Sequence, residues 1–145
     1  MANVVCEISV TQAPLSTRAS DSEIAGAGAI VDFWGAVRPI ENGREIDGID
    51  YEAHREMAEH QLRRIAEQAA ERFGLKLVII YHRIGFIAVG EASLFLRVAS
   101  PHRSEGFGAS QWIVDELKKK APIWKRPRFK IETHHHASHS EAATV

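Results

Sequence analysis

Three stretches of this chain carry residues able to do chemistry. The first is 100–105, SPHRSE, where His102 and Arg103 stand at the start of a predicted helix. The first backbone N–H groups of a helix lack internal partners and form the positive end of its dipole, so the place receives anions. An imidazole and a guanidinium would strengthen such a site. The same two residues also suit a solvated surface turn. The second stretch is 117–126, LKKKAPIWKR, with Lys118 at a predicted helix end and Lys125 just past Pro122. The proline redirects the chain, so the two amines can converge. Converging ammonium groups bind phosphate, and each favours the neutral, nucleophilic form of the other. Lysines in a last turn also complement the helix dipole, which accounts for Lys119 and Lys120. The third is Arg38, closing the run FWGAVR. Its planar fork suits a phosphate or carboxylate, although a strand-end arginine can equally be solvated.

Other candidates carry less. His82 ends a strand-like run and could act as a base, or simply hydrogen-bond to nearby backbone. His134, His135, His136 and His139 lie in a tail with no regular scaffold to hold them around a metal. Cys6 is the one cysteine, which excludes an internal disulfide and a multi-thiolate metal site; it reads as a small core residue.

The elements that must position these groups follow from periodicity. Residues 3–10 read as a strand and 11–25 as a polar loop. Residues 26–35 form a second strand, and 38–48 (RPIENGREIDG) a surface loop or hairpin tip. A strand follows near 47–53. Residues 54–73 form an amphipathic helix on the stripe Ala58, Leu62, Ile65, Ala69 and Phe73, stopped by Gly74. LVIIY at 77–81 is a strand buried on both faces, and HRIGFIAVGE connects it to a strand at 91–99. The second helix starts from Ser104 as N-cap, runs to about Lys120 and is ended by Pro122. A basic extended segment follows Trp124. From residue 45 onward the order is β-α-β-β-α-β, which by itself suggests a ferredoxin-like sheet.

Along the second helix, Arg103 and Lys118 are about 22 Å apart at 1.5 Å per residue. The clusters at its two ends are therefore either separate sites or one site built from two chains. A twofold dimer can bring one subunit's helix start to the other's helix end.

With 145 residues the chain suffices for one domain, expected over 1–133, with 134–145 as a flexible tail. Its formal net charge of -1 gives no global field for nucleic acid or an anionic membrane. Seven Lys/Arg and no Asp or Glu nevertheless fall between Lys118 and Lys130, where any anion site should draw its charge. No apolar run approaches a membrane span and no leader pattern opens the chain, so a cytoplasmic location is expected.

Taken in order, GAIVDFWGAVR, IDYEAHREMAE, HRIGFIAVGE, SPHRSEGF and LKKKAPIWKR resemble the large-subunit family of molybdopterin synthase over roughly residues 26–126. The resemblance implies an α+β fold, an α/β-hammerhead with an additional antiparallel β region and two main helices, in place of the ferredoxin-like sheet. It implies a homodimer whose outer ends each bind a small ubiquitin-like sulfur-carrier subunit. That subunit's C-terminal thiocarboxylate would supply sulfur to cyclic pyranopterin monophosphate, forming a dithiolene without metal or cofactor. Carried over, Lys118 and Lys125 match the active-site lysines. Arg38 matches the pocket arginine, and His102 with Arg103 match the pair lent by the neighbouring subunit. Phe33 and Trp34 fall in the pocket-wall segment. Arg38, His102 and Arg103 would hold the phosphate end, with Lys118 beside the carbon attacked and Lys125 assisting.

The chain departs from the family pattern after Lys125: the family usually has an acidic residue two positions on, whereas Arg126 and Pro127 follow here. The later tryptophan-bearing stretch is also replaced, by RFKIETHHHASHSEAATV, and the segment after Gln12 is short. These departures motivate a second reading, a catalytically impaired module that docks the small subunit. A third, nucleic-acid binding through KKKAPIWKRPRFK, is opposed by the overall charge.

Overall fold

Small and branched apolar residues at helical spacing build the first helix, α1 (Arg55–Phe73). Ala58, Leu62, Ile65, Ala66 and Ala69 are buried along one stripe, and burying Leu62 or Ile65 contributes about 1.5–3 kcal/mol each. The Nδ1 of His54 accepts from the Met57 N–H and caps the start. Gly74, at φ 66°, takes the left-handed conformation that ends the helix. The structure, a computed structural model, describes residues 4–16 and 26–131.

In chain order the strands are β1 (Val5–Thr11), β2 (Ala29–Ala36), β3 (Ile40–Glu41), β4 (Arg44–Ala53), β5 (Leu77–Arg83), β6 (Gly85–Ala88), β7 (Ala92–Ser100) and β8 (Ile123–Phe129). Helix α1 lies between β4 and β5, and α2 (Arg103–Lys120) between β7 and β8. One sheet has the order β1-β5-β7-β2, with β1 and β5 parallel and the other neighbours antiparallel. Both helices cover one face of it. There Val78 and Ile80 of β5 and Leu94, Leu96 and Val98 of β7 form the main core with Leu62, Ile65, Ile113 and Leu117. On the opposite face Leu77, Ile79, Phe95 and Ala99 form a smaller cluster. Strand β5 is thus buried on both sides, as its unbroken apolar run predicts.

The second sheet is antiparallel. Strand β4 is its centre, paired with β3, β6 and β8. This corrects the ferredoxin-like expectation: β4 and β8 pair with each other instead of joining β5 and β7. The places beside β5 and β7 are taken by the upstream strands β1 and β2. The α+β class with two main helices is as the resemblance implied.

Local readings need smaller corrections. The segment 38–48 contains a hairpin whose turn is Asn42-Gly43, both at positive φ (53° and 73°), as a two-residue type I′ turn requires. HRIGFIAVGE is more than a connection, because Gly85 (φ 90°) turns the chain into β6. Helix α2 begins at Arg103 with His102 as N-cap and no side-chain cap bond. Ser104 lies inside its first turn, and its hydroxyl bonds Glu105 instead. Cys6 is half-buried and packs against the main core, where burial raises its thiol pKa. The expected tail 134–145 and its histidines lie outside the described residues. Among those residues no helix is long and apolar enough to cross a membrane, and no three metal-binding side chains cluster.

Candidate functional site

Where the two sheets diverge, the end of β2, the β3–β4 hairpin, the β4–β8 pair and the last turn of α2 enclose a cleft of about 510 Å³. Each wall presents a charged group for a local reason. A β-bulge between Gly35 and Ala36 ends the regular pairing of β2 with β7 and re-aims the chain. Val37 is then pinned by two backbone bonds, its N–H to the Glu91 carbonyl and the Gly90 N–H to its own carbonyl, both 2.9 Å. Arg38 follows directly, with its side chain 78% exposed at the mouth.

Lys118 sits in the final turn of α2 beside the buried Leu117. The helix stops at Ala121, whose N–H bonds the Leu117 carbonyl at 3.0 Å. Lys119 and Lys120 turn to Glu116 (3.8 and 2.7 Å), and both help hold that carboxyl below its usual range. Lys118 alone of the three has no carboxylate partner among the described residues. Lys125 lies on β8, paired in register with Tyr51 of β4. Its Nζ is 2.8 Å from Glu41 Oε1, and Glu41 Oε2 is 3.7 Å from Arg38 Nη2. The two lysines therefore differ: Lys125 is ion-paired and Lys118 is open to the cleft. Among the described residues three cations face one carboxylate in the cleft, a net of two positive charges suited to an anionic ligand.

His102 and Arg103 are not in this cleft. They stand at the opposite end of α2, His102 81% exposed with Nδ1 3.4 Å from Glu105. The loop before them is tightly placed: the Ser100 hydroxyl donates to the His102 carbonyl at 2.6 Å, and the Gly28 N–H donates to the Ser100 carbonyl. Within one chain the structure thus joins Arg38, Lys118 and Lys125 and leaves His102 and Arg103 apart. Phe33 and Trp34 line the cleft, and Trp34 also packs on Phe95 with ring centroids 4.5 Å apart.

Two groups in the cleft gain a meaning that sequence reading did not give them. Glu41 lies in the segment 38–48, which sequence reads as a surface loop or hairpin tip. Its neighbour in space is 84 residues away, a pairing that no local pattern reveals. Of the two sequence readings of His82, a base or a backbone-bonded residue, the ring's contact with backbone supports the second. Its Nδ1 is 2.8 Å from the Arg83 carbonyl, which can only accept, so the proton lies on Nδ1. Burial pulls its pKa below the ordinary imidazole range, against the opposing pull of that carbonyl. A neutral ring leaves a lone pair on Nε2.

A family model described as MoaE protein matches residues 10–120. The molybdopterin synthase catalytic subunit of Pyrococcus abyssi is 44% identical over 102 residues, covering 70% of this chain and 69% of that protein. Among solved structures, molybdopterin synthase from Staphylococcus aureus aligns with a TM-score of 0.75 and 28% identity, covering 83% of this chain and 90% of that one. A chain from the protein–protein complex of subunits 1 and 2 of the molybdopterin-converting factor of Helicobacter pylori aligns with a TM-score of 0.63. It is 19% identical, covers 91% of this chain and 94% of that one, and shows likeness of fold.

Proposed function

The chain belongs to the MoaE protein family, and from that premise we propose that it is the catalytic subunit of molybdopterin synthase. It takes sulfur from the C-terminal thiocarboxylate of a small ubiquitin-like subunit and places it on cyclic pyranopterin monophosphate. The observation that carries this reading is the convergence of Arg38, Lys118 and Lys125, from three separate segments, on one cleft. Substrate and sulfur donor are both anions, so the site that brings them together must offset their repulsion.

In this reading Lys118, the amine without a carboxylate partner, lies beside the thiocarboxylate and the carbon attacked. The sulfur attacks a side-chain carbon of the pterin as that carbon's bond to oxygen breaks, the oxygen leaving on the opened phosphate or as water. Water then cleaves the acyl–sulfur bond, leaving sulfur on the pterin and a carboxylate on the carrier. Lys125 assists in proton transfer or charge stabilisation. Two such rounds give the dithiolene.

Arg38 holds the phosphate end together with His102 and Arg103, which the length of α2 keeps out of their own chain's cleft. The working form is therefore a homodimer, in which the partner subunit's His102 and the partner subunit's Arg103 complete each site. The test is reconstitution of purified chain, thiocarboxylated small subunit and cyclic pterin. Dithiolene product is expected. A stable complex that yields none would leave only a docking module. Against that alternative, Pro127 sits in register with Ile49 without breaking β8, a position where a missing N–H is tolerated at a sheet edge.

A further inference from the structure

Among the described residues Glu41 is the one carboxylate lining the cleft, and it contacts two of the cations assigned above to ligand binding. It projects from the last residue of β3, next to the Asn42-Gly43 turn. Its side chain is only 11% exposed, so it points inward rather than to solvent. One oxygen holds Lys125 at 2.8 Å, and the other reaches Arg38 at 3.7 Å. A carboxylate spanning an ammonium and a guanidinium is the arrangement that an incoming oxyanion would itself adopt.

We propose that Glu41 is a built-in occupant of the cleft's oxyanion subsite, which an arriving carboxylate or phosphate must displace before Lys125 and Arg38 can engage it. The proposal rests on reading the cleft as an anion site but not on sulfur transfer. The two contacts are unequal in a way that favours exchange. Arg38 is mostly exposed and loosely held, so it can swing to a ligand first. Lys125 is only a quarter exposed and more closely held, and it is released last. Strand β3 can carry Glu41 away from β4, because the two are held by two residue pairs and one further bond, the Ile46 N–H to the Pro39 carbonyl at 3.0 Å. The device keeps two like charges together in the empty cleft and lowers the affinity for any small anion that fails to break both contacts.

The experiment measures binding of two probes by calorimetry at low salt: inorganic phosphate for the pterin's phosphate, and N-acetyl-Gly-Gly for the donor's carboxylate terminus. Proteins compared are the full chain, Glu41→Gln, Glu41→Ala and the control Glu45→Gln. Glu45 is exposed on the same hairpin, so its substitution removes the same charge without touching Lys125. If the occupied state dominates the free protein, removing the occupant tightens binding about five- to tenfold over the control. A gain for phosphate assigns the subsite to the substrate's phosphate, and a gain for the peptide assigns it to the sulfur donor. Unchanged or weaker binding of both probes in both Glu41 variants, with the full chain binding normally, overturns the proposal alone. Failure of every protein to bind either probe overturns it together with the anion-site reading.

Discussion

Tyr51 meets His82 edge to face, with ring centroids 5.3 Å apart, and this contact bridges the two sheets at the floor of the cleft. Tyr51 belongs to β4 and lies opposite Lys125, while His82, the penultimate residue of β5, lies between Val10 and Leu94. The geometry of the site therefore depends on a buried ring that must remain uncharged.

That dependence gives a pH prediction. Burial sets the folded pKa of His82 below its unfolded value. Above the unfolded pKa both states hold the ring neutral. As pH falls below about 6.5, the unfolded chain binds a proton that the folded chain resists, and stability drops. Urea unfolding at pH 7.5, 6.5 and 5.5 should show a steeper loss for the full chain than for His82→Asn, whose amide can still donate to the Arg83 carbonyl. Parallel losses in the two proteins would contradict the assignment.

Gly48 sets the spacing of the second sheet. A Cβ added there would lie 2.5 Å from the Ile87 carbonyl oxygen and 2.5 Å from the Phe86 ring. Backbone cannot yield cheaply, so Gly48→Ala should cost about 1–3 kcal/mol. Gly43→Asn, at a turn position that asparagine tolerates, should cost far less. Thermal melts of the two variants give the comparison, and equal melting temperatures would refute it.

Completion of the site across a dimer predicts complementation. Lys118→Ala and Arg103→Ala should each be inactive as pure proteins. After subunit exchange, half the molecules are mixed, and each mixed dimer carries one intact site, so about a quarter of full activity should return. Assay after mixing and re-equilibration decides the matter. No recovery, despite exchange confirmed by mass, would mean that Arg103 acts within its own chain; an active Arg103→Ala protein would mean that it does not act at all.

The parts of this fold that sequence discloses are those governed by local periodicity. The stripe from Ala58 to Ala69, the stop at Gly74, the apolar run of β5 and the break at Pro122 each follow from residue type and spacing. Helix length, read from sequence, also separates His102 and Arg103 from Lys118. Strand pairing was not legible: nothing local tells β4 to choose β8 over β5, because that choice depends on β1 and β2 occupying the first sheet. Glu41 was hidden for the same reason. Its chemistry comes from Lys125, and only the pairing of β4 with β8 brings the two together. At the start of α2 the sequence points to Ser104 as the cap, whereas the helix begins earlier, at Arg103, with His102 as N-cap, its carbonyl bonded by the Ser100 hydroxyl.

The most direct test of the central claim is a single-turnover assay with thiocarboxylated small subunit and cyclic pterin, comparing the full chain with Lys118→Ala. Small-subunit binding should be measured on both proteins. The account predicts dithiolene product from the full chain, none from Lys118→Ala, and equal binding of the small subunit by the two. Substantial product from Lys118→Ala would contradict it.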